Sequence, residues 1–82
     1  MSVGERYKFL MANINQQKYI YFHKRKEHPK YIVMNYDTRS FLRAQGQSPI
    51  YTDTSNKIVE KCNGMIILIN ESLPNDFIEV VG

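Results

Sequence analysis

The dipeptide Asn63-Gly64 lies between two six-residue runs, 57–62 and 65–70, both rich in β-branched and apolar residues. Asn-Gly readily adopts the positive φ angles that both central positions of a type I′ turn require, and that turn matches the twist of paired strands. The spacing therefore predicts a tight hairpin. Its second run, Met65-Ile66-Ile67-Leu68-Ile69, has no polar alternation, as expected of a central strand covered on both faces. An amphipathic N-terminal segment is the natural cover. At five residues this is also the longest apolar run in the chain, far short of the roughly 18 residues that a membrane helix needs. A membrane partner is not expected.

The N-terminus carries a second local signal. Ser2-Val3-Gly4-Glu5 has capping-box spacing: the Ser hydroxyl accepts from the backbone three residues on, and the Glu there reaches back. Tyr7, Leu10, Met11 and Ile14 follow at i, i+3, i+4 and i+7, one face of a helix. A strand with Tyr7, Phe9 and Met11 on one side competes for residues 6–15; the helix is preferred, ending near Asn13 and Asn15.

Residues 18–24 then alternate, with Tyr19 and Tyr21 on one face and Ile20 and Phe22 on the other, and residues 30–36 repeat the pattern. Both runs read as strands. Arg25-Lys26-Glu27-His28-Pro29 between them reads as a charged hairpin tip. Residues 37–46 form a short helix capped by Asp37 or Thr38 and closed by Gly46. Residues 47–56 are turn-rich, with Ile50-Tyr51 a brief edge strand. Residues 77–81 close as a strand, helical turn being the lesser reading. The expected fold is α+β, a small, mainly antiparallel sheet of four to five strands built from two hairpins, with an N-terminal helix and a short middle helix. At 82 residues the chain is one domain with one core.

Composition narrows the class. With 43% hydrophobic and 23% charged residues the chain is globular rather than disordered. Cys62 is the single cysteine, which excludes an internal disulfide and suits a reducing compartment. Residues 1–5 lack a basic start before an apolar stretch, so no signal peptide is expected. The cytoplasm is the expected location, and Asn70-Glu71-Ser72 is read as a chance glycosylation pattern. The abundance of Ile, Asn, Lys and Tyr is typical of AT-rich coding sequence, which fits a phage or low-GC bacterial source.

Charge is unevenly placed. Residues 1–45 hold nine Lys or Arg against three acids, and residues 46–82 hold two against five. Such asymmetry suggests a polyanionic partner, although folding could interleave the halves and neutralise them. The candidate nucleic-acid-binding residues are Lys24, Arg25, Lys26, His28 and Lys30 at the hairpin tip, with Arg39 and Arg43 extending the patch from the middle helix. Tyr19 and Tyr21, with Tyr31 and Tyr36 beyond them, could stack on unpaired bases. The preferred reading of Arg39 and Arg43 is nevertheless as plain surface residues, able to pair with Asp37 and Glu27.

Other chemistries have weaker support. His23, His28 and Cys62 lack the paired spacing of a structural zinc site, so no metal is expected. The chain has no nucleophile elbow, glycine-rich phosphate loop or facing carboxylate pair. No cofactor or catalytic residue is assigned, and a small ribonuclease using His23 or His28 is a remote alternative. The expectation is a non-enzymatic protein contacting nucleic acid or a nucleoprotein. The main alternative is a phage-type inhibitor or adaptor that binds a host protein, and a homodimer through an exposed strand edge is a further expectation.

Overall fold

The computed structural model describes residues 2–47, 50–52 and 56–82. The expected turn-rich character of 48–49 and 53–55 lies outside the described residues. The elements run α1 (Val3–Arg25), β1 (Tyr31–Met34), α2 (Tyr36–Ala44), β2 (Ile50–Thr52), β3 (Ile58–Cys62), β4 (Met65–Ile69) and β5 (Glu79–Val81). Four strands, β3-β4-β1-β5, make the main sheet, and the three-residue β2 extends its β3 edge. The fold is α+β, as expected, but the sheet is mixed. β1 and β4 are parallel, with Tyr31 opposite Ile66 and Met34 opposite Ile69. A parallel pair needs a long crossover, here supplied by α2 and the β2–β3 segment.

The C-terminal hairpin forms as expected. Cys62 pairs with Met65 across Asn63 (φ 51°) and Gly64 (φ 80°). The first expected hairpin does not exist. Residues 18–25 continue α1, which runs unbroken for 23 residues. Propagating a helix already nucleated by the Ser2–Glu5 capping box costs little per residue, and helical spacing gives this stretch partners that a strand would forfeit. Gln17 donates from Nε2 to the Ile78 carbonyl (2.8 Å) and accepts at Oε1 from the Val80 N–H (3.2 Å). Lys18 Nζ donates to the Asn63 carbonyl (3.0 Å). Tyr19 and Tyr21 therefore point to different sides of a helix instead of sharing a strand face. Lys26, in the left-handed conformation (φ 60°), ends the helix by donating its N–H to the Phe22 carbonyl.

Register sorts the sheet residues onto two faces. Ile32, Met34, Cys62, Met65, Ile67 and Val80 share one face and form a single core with Leu10, Ile14 and Leu42 from the helices. Both helices thus cover the same side. Tyr31, Val33, Val59, Ile66, Leu68 and Val81 occupy the opposite face and belong to no core cluster. β4 is central but covered on one side only: Met65 is 1% exposed and Leu68 43%. The expected two-sided burial fails because both helices among the described residues lie on one face. The β5 edge is also less open than expected, because the Gln17 amide binds backbone groups of Ile78 and Val80, one way that natural edges are blunted.

A buried polar node joins the far ends. Asn35, rather than Asp37 or Thr38, caps α2, because the helix starts earlier than the sequence suggests. Its Oδ1 accepts from the Thr38 N–H (2.9 Å), and its Nδ2 donates to the Leu73 carbonyl (3.1 Å) and to Asn75 Oδ1 (2.7 Å). The Thr38 hydroxyl in turn accepts from the Asp76 N–H (2.8 Å). Losing a cap costs about 1 kcal/mol, and leaving the half-buried Leu73 carbonyl without its donor costs about 1–3 kcal/mol more. Asn35→Ala should therefore lower the unfolding free energy by about 2–4 kcal/mol in urea titration, and Asn35→Asp, which keeps the capping oxygen, by less.

Candidate nucleic-acid interface

Helix α1 runs antiparallel to β1, and its C-terminal turns reach the end of the molecule where β1 begins. Lys30 joins that end to the sheet: its N–H donates to the Val81 carbonyl (3.0 Å), and its carbonyl accepts from the Ile66 N–H (2.9 Å). The core contacts of α1 end with Ile14 among its fully buried residues, and beyond it the polar side chains of Gln17 and Lys18 hold the helix down. Past them Tyr19 (65% exposed), Ile20 (44%) and Phe22 (39%) stand in solvent.

Five of the expected site residues, Lys24, Arg25, Lys26, His28 and Lys30, are exposed at this end. Among the described residues, none of Lys24, Arg25, Lys26 and Lys30 forms an ion pair with a carboxylate. Glu27 is the single acid between Lys18 and Lys30. Tyr19 is exposed beside the cluster. Tyr21 is half-buried and carries the Arg25 guanidinium over its ring at 5.4 Å. Together with Gln17, Ile20, Lys24 and Val80, these two residues line an open hollow of about 220 Å³.

Arg39 and Arg43 are not part of this cluster. Both reach Glu60 on β3, Arg43 at 2.6 Å and Arg39 at 3.6 Å, and Arg39 also lies over the Tyr36 ring at 5.2 Å. Their shared face exists as expected, but it serves to neutralise a carboxylate on the helix-covered side of the sheet. Of the expected partners, Asp37 instead binds Arg6 (2.7 Å), which also binds Asp76 (2.7 Å) and lies over the Phe41 ring. The Arg6 guanidinium is held above its ordinary pKa, chiefly by the Asp76 hydrogen bond. Tyr31 lies on the open sheet face and Tyr36 starts α2, so neither joins Tyr19.

The structure adds residues that the strand reading concealed. Tyr19 and His23 have ring centroids 4.2 Å apart, His23 and Phe22 6.1 Å, and Phe22 and His28 4.8 Å in a stacked arrangement. His28 folds back over Phe22 and fixes the segment after the helix. The Tyr19/His23 spacing of four residues was the available signal, legible only once the stretch is read as helical.

Among the described residues no group of three or more His, Cys, Asp or Glu side chains could hold a metal ion. No helix among them is long and apolar enough to cross a membrane. Comparison of the chain with protein-family models, with curated proteins and with solved structures gives no match.

Cys62 is buried in the core, and that burial pushes its thiol pKa up, against a smaller opposing effect of Lys18. The thiolate is the reactive form, so native Cys62 should resist thiol reagents at neutral pH and react fully once urea unfolds the chain. The raised folded value also sets a sign. This thiol's contribution to stability is intact below the ordinary thiol pKa and is lost as pH rises through the folded one, which alkaline denaturation read by circular dichroism would detect.

Proposed function

We propose that this chain is a non-enzymatic protein that binds nucleic acid, alone or in a nucleoprotein, through the C-terminal end of α1. The observation that carries the reading is the gathering of Lys24, Arg25, Lys26 and Lys30 at one exposed end with no carboxylate ion pair among the described residues. Cations already paired, as Arg39 and Arg43 are, gain little from a phosphate. Unpaired ones can each displace a condensed counterion and so bind polynucleotide with steep salt dependence. The sites would be Lys24, Arg25, Lys26, His28 and Lys30, with Tyr19 and Tyr21 flanking them, and the reducing environment suited to a free thiol is the cytoplasm.

A second reading, a phage-type inhibitor or adaptor binding a protein, draws on a different observation. The open sheet face presents Tyr31, Val33, Ile66 and Leu68 with no helix over them, and apolar surface left open on a small domain marks interaction sites. Leu68→Lys should abolish association in that reading, as followed by sedimentation, and leave nucleic-acid affinity untouched.

The first reading is tested by binding to oligonucleotides across a salt series. Lys24→Gln/Arg25→Gln/Lys26→Gln should weaken binding at low salt and reduce the slope of log affinity against log salt by about 2–3, at about 0.7–0.9 per lost phosphate contact. Lys24→Glu/Arg25→Glu/Lys26→Glu should abolish it, and Glu27→Gln should strengthen it slightly. Wild-type protein that binds no oligonucleotide even at low salt would exclude this reading.

A further inference from the structure

We infer that the nucleic acid taken by this end is single-stranded, its unpaired bases stacking on the rings of Tyr19, Phe22, His23 and His28. The inference rests on the nucleic-acid reading above and goes beyond it in naming the ligand class and the residues that select it.

Two independent features coincide at the end of α1. The cations supply phosphate contacts but do not distinguish a single strand from a duplex. The rings do. Tyr19, His23, Phe22 and His28 form a continuous chain of ring contacts at 4.2, 6.1 and 4.8 Å, and it stands outside the core. Tyr19 is 65% and Phe22 39% exposed, so both offer ring surface to solvent beyond their contacts with His23 and His28. A duplex presents phosphates and base edges, its base faces being already stacked, and cannot cover that surface. An unpaired strand presents π-faces of every base, which explains why aromatic platforms beside cationic grooves recur in single-strand binding without sequence preference.

The rings are also held in place in advance. Tyr19 leans on His23 one helical turn away, and Phe22 is clasped by His28 from the segment beyond the Lys26 cap. Two stations result, Tyr19/His23 and Phe22/His28, joined through the edge-on His23–Phe22 contact. Lys24, Lys26 and Lys30 are exposed at the same end of the molecule and would supply charge for the phosphates of a strand crossing both stations. Ile20, 44% exposed on the same overhanging turns, adds apolar surface for a base or ribose.

The test compares three labelled ligands by fluorescence anisotropy at low salt: a short oligothymidylate, an abasic strand of equal length and charge, and a duplex. Wild-type protein is measured beside Tyr19→Leu/Phe22→Leu, which keeps every charge and changes only side chains outside the core, and beside the triple Lys/Arg→Gln variant. Oligothymidylate is expected to bind more tightly than either other ligand. The ring variant should lose about 5- to 100-fold on oligothymidylate, with its affinity for the abasic strand and its salt slope unchanged. Equal binding of oligothymidylate and abasic strand, or a ring variant as tight as wild type, overturns the stacking inference. In that case the charge-dependent nucleic-acid reading survives if the triple variant still loses affinity. Absence of binding to all three ligands overturns both.

Discussion

Helix α1 is longer than anything it can lie on. Its 23 residues span about 34 Å at 1.5 Å per residue, whereas the longest strands have five residues, about 17 Å. A helix of that length on such a sheet must overhang. The sequence places good anchors early, with Leu10 and Ile14 fully buried and Tyr7 and Met11 beside them, so the overhang falls at the C-terminal end. The features of the proposed site follow from that mismatch: the exposure of Tyr19, Ile20 and Phe22 and the crowding of cations past Lys18.

An overhanging helix needs to be held along its axis, and apolar contact alone does this poorly because it is non-directional. Three polar side chains supply the registration. Arg6 ties the first turns to Asp37 and Asp76, Gln17 binds both a carbonyl and an N–H near β5, and Lys18 reaches the Asn63 carbonyl at the hairpin turn. They are unequal. Ion pairs with access to solvent contribute about 0–1 kcal/mol; Arg6 is 25%, Asp76 27% and Asp37 56% exposed, so the Arg6 contacts mostly orient. Gln17 matters more, because removing it would leave two edge groups competing for water or for another strand.

The parts of this fold encoded by neighbouring residues were legible in the sequence. Asn63-Gly64 announced its hairpin, Ser2 and Glu5 announced the start of α1, and Gly46 announced the close of α2, where it adopts φ 77°. The second half of α1 was not legible, because Tyr19-Ile20-Tyr21-Phe22 has strand propensity and strand alternation at once. What settles it as helix is contact with residues 45 to 63 positions away, at Asn63, Ile78 and Val80. The site divides in the same manner. Lys24, Arg25, Lys26, His28 and Lys30 stay together in strand or helix because they are adjacent in sequence. Arg39 and Arg43 were misplaced because their partner, Glu60, lies on an element that the charge pattern alone could not bring near. Phe22 and His23 were missed because a strand sends them to opposite faces.

A helix C-terminus is an unpromising place to hold an anion, since the aligned peptide dipoles leave about half a negative charge there. The cluster on α1 reverses that. Lys24, Arg25 and Lys26 lie within or directly after the last turn, Lys30 follows, and only Glu27 opposes them. Four full charges against one carboxylate and a half-charge leave the end strongly positive. The same cations also stabilise the helix end by about 0.3–1 kcal/mol each, so a structural role and a binding role coincide in the same side chains. That coincidence explains why charge alone is weak grounds for a site here, and why the exposed rings carry the discrimination. A dipole can account for lysines at a helix C-terminus, whereas it gives no reason for Tyr19 and Phe22 to remain in water beside them.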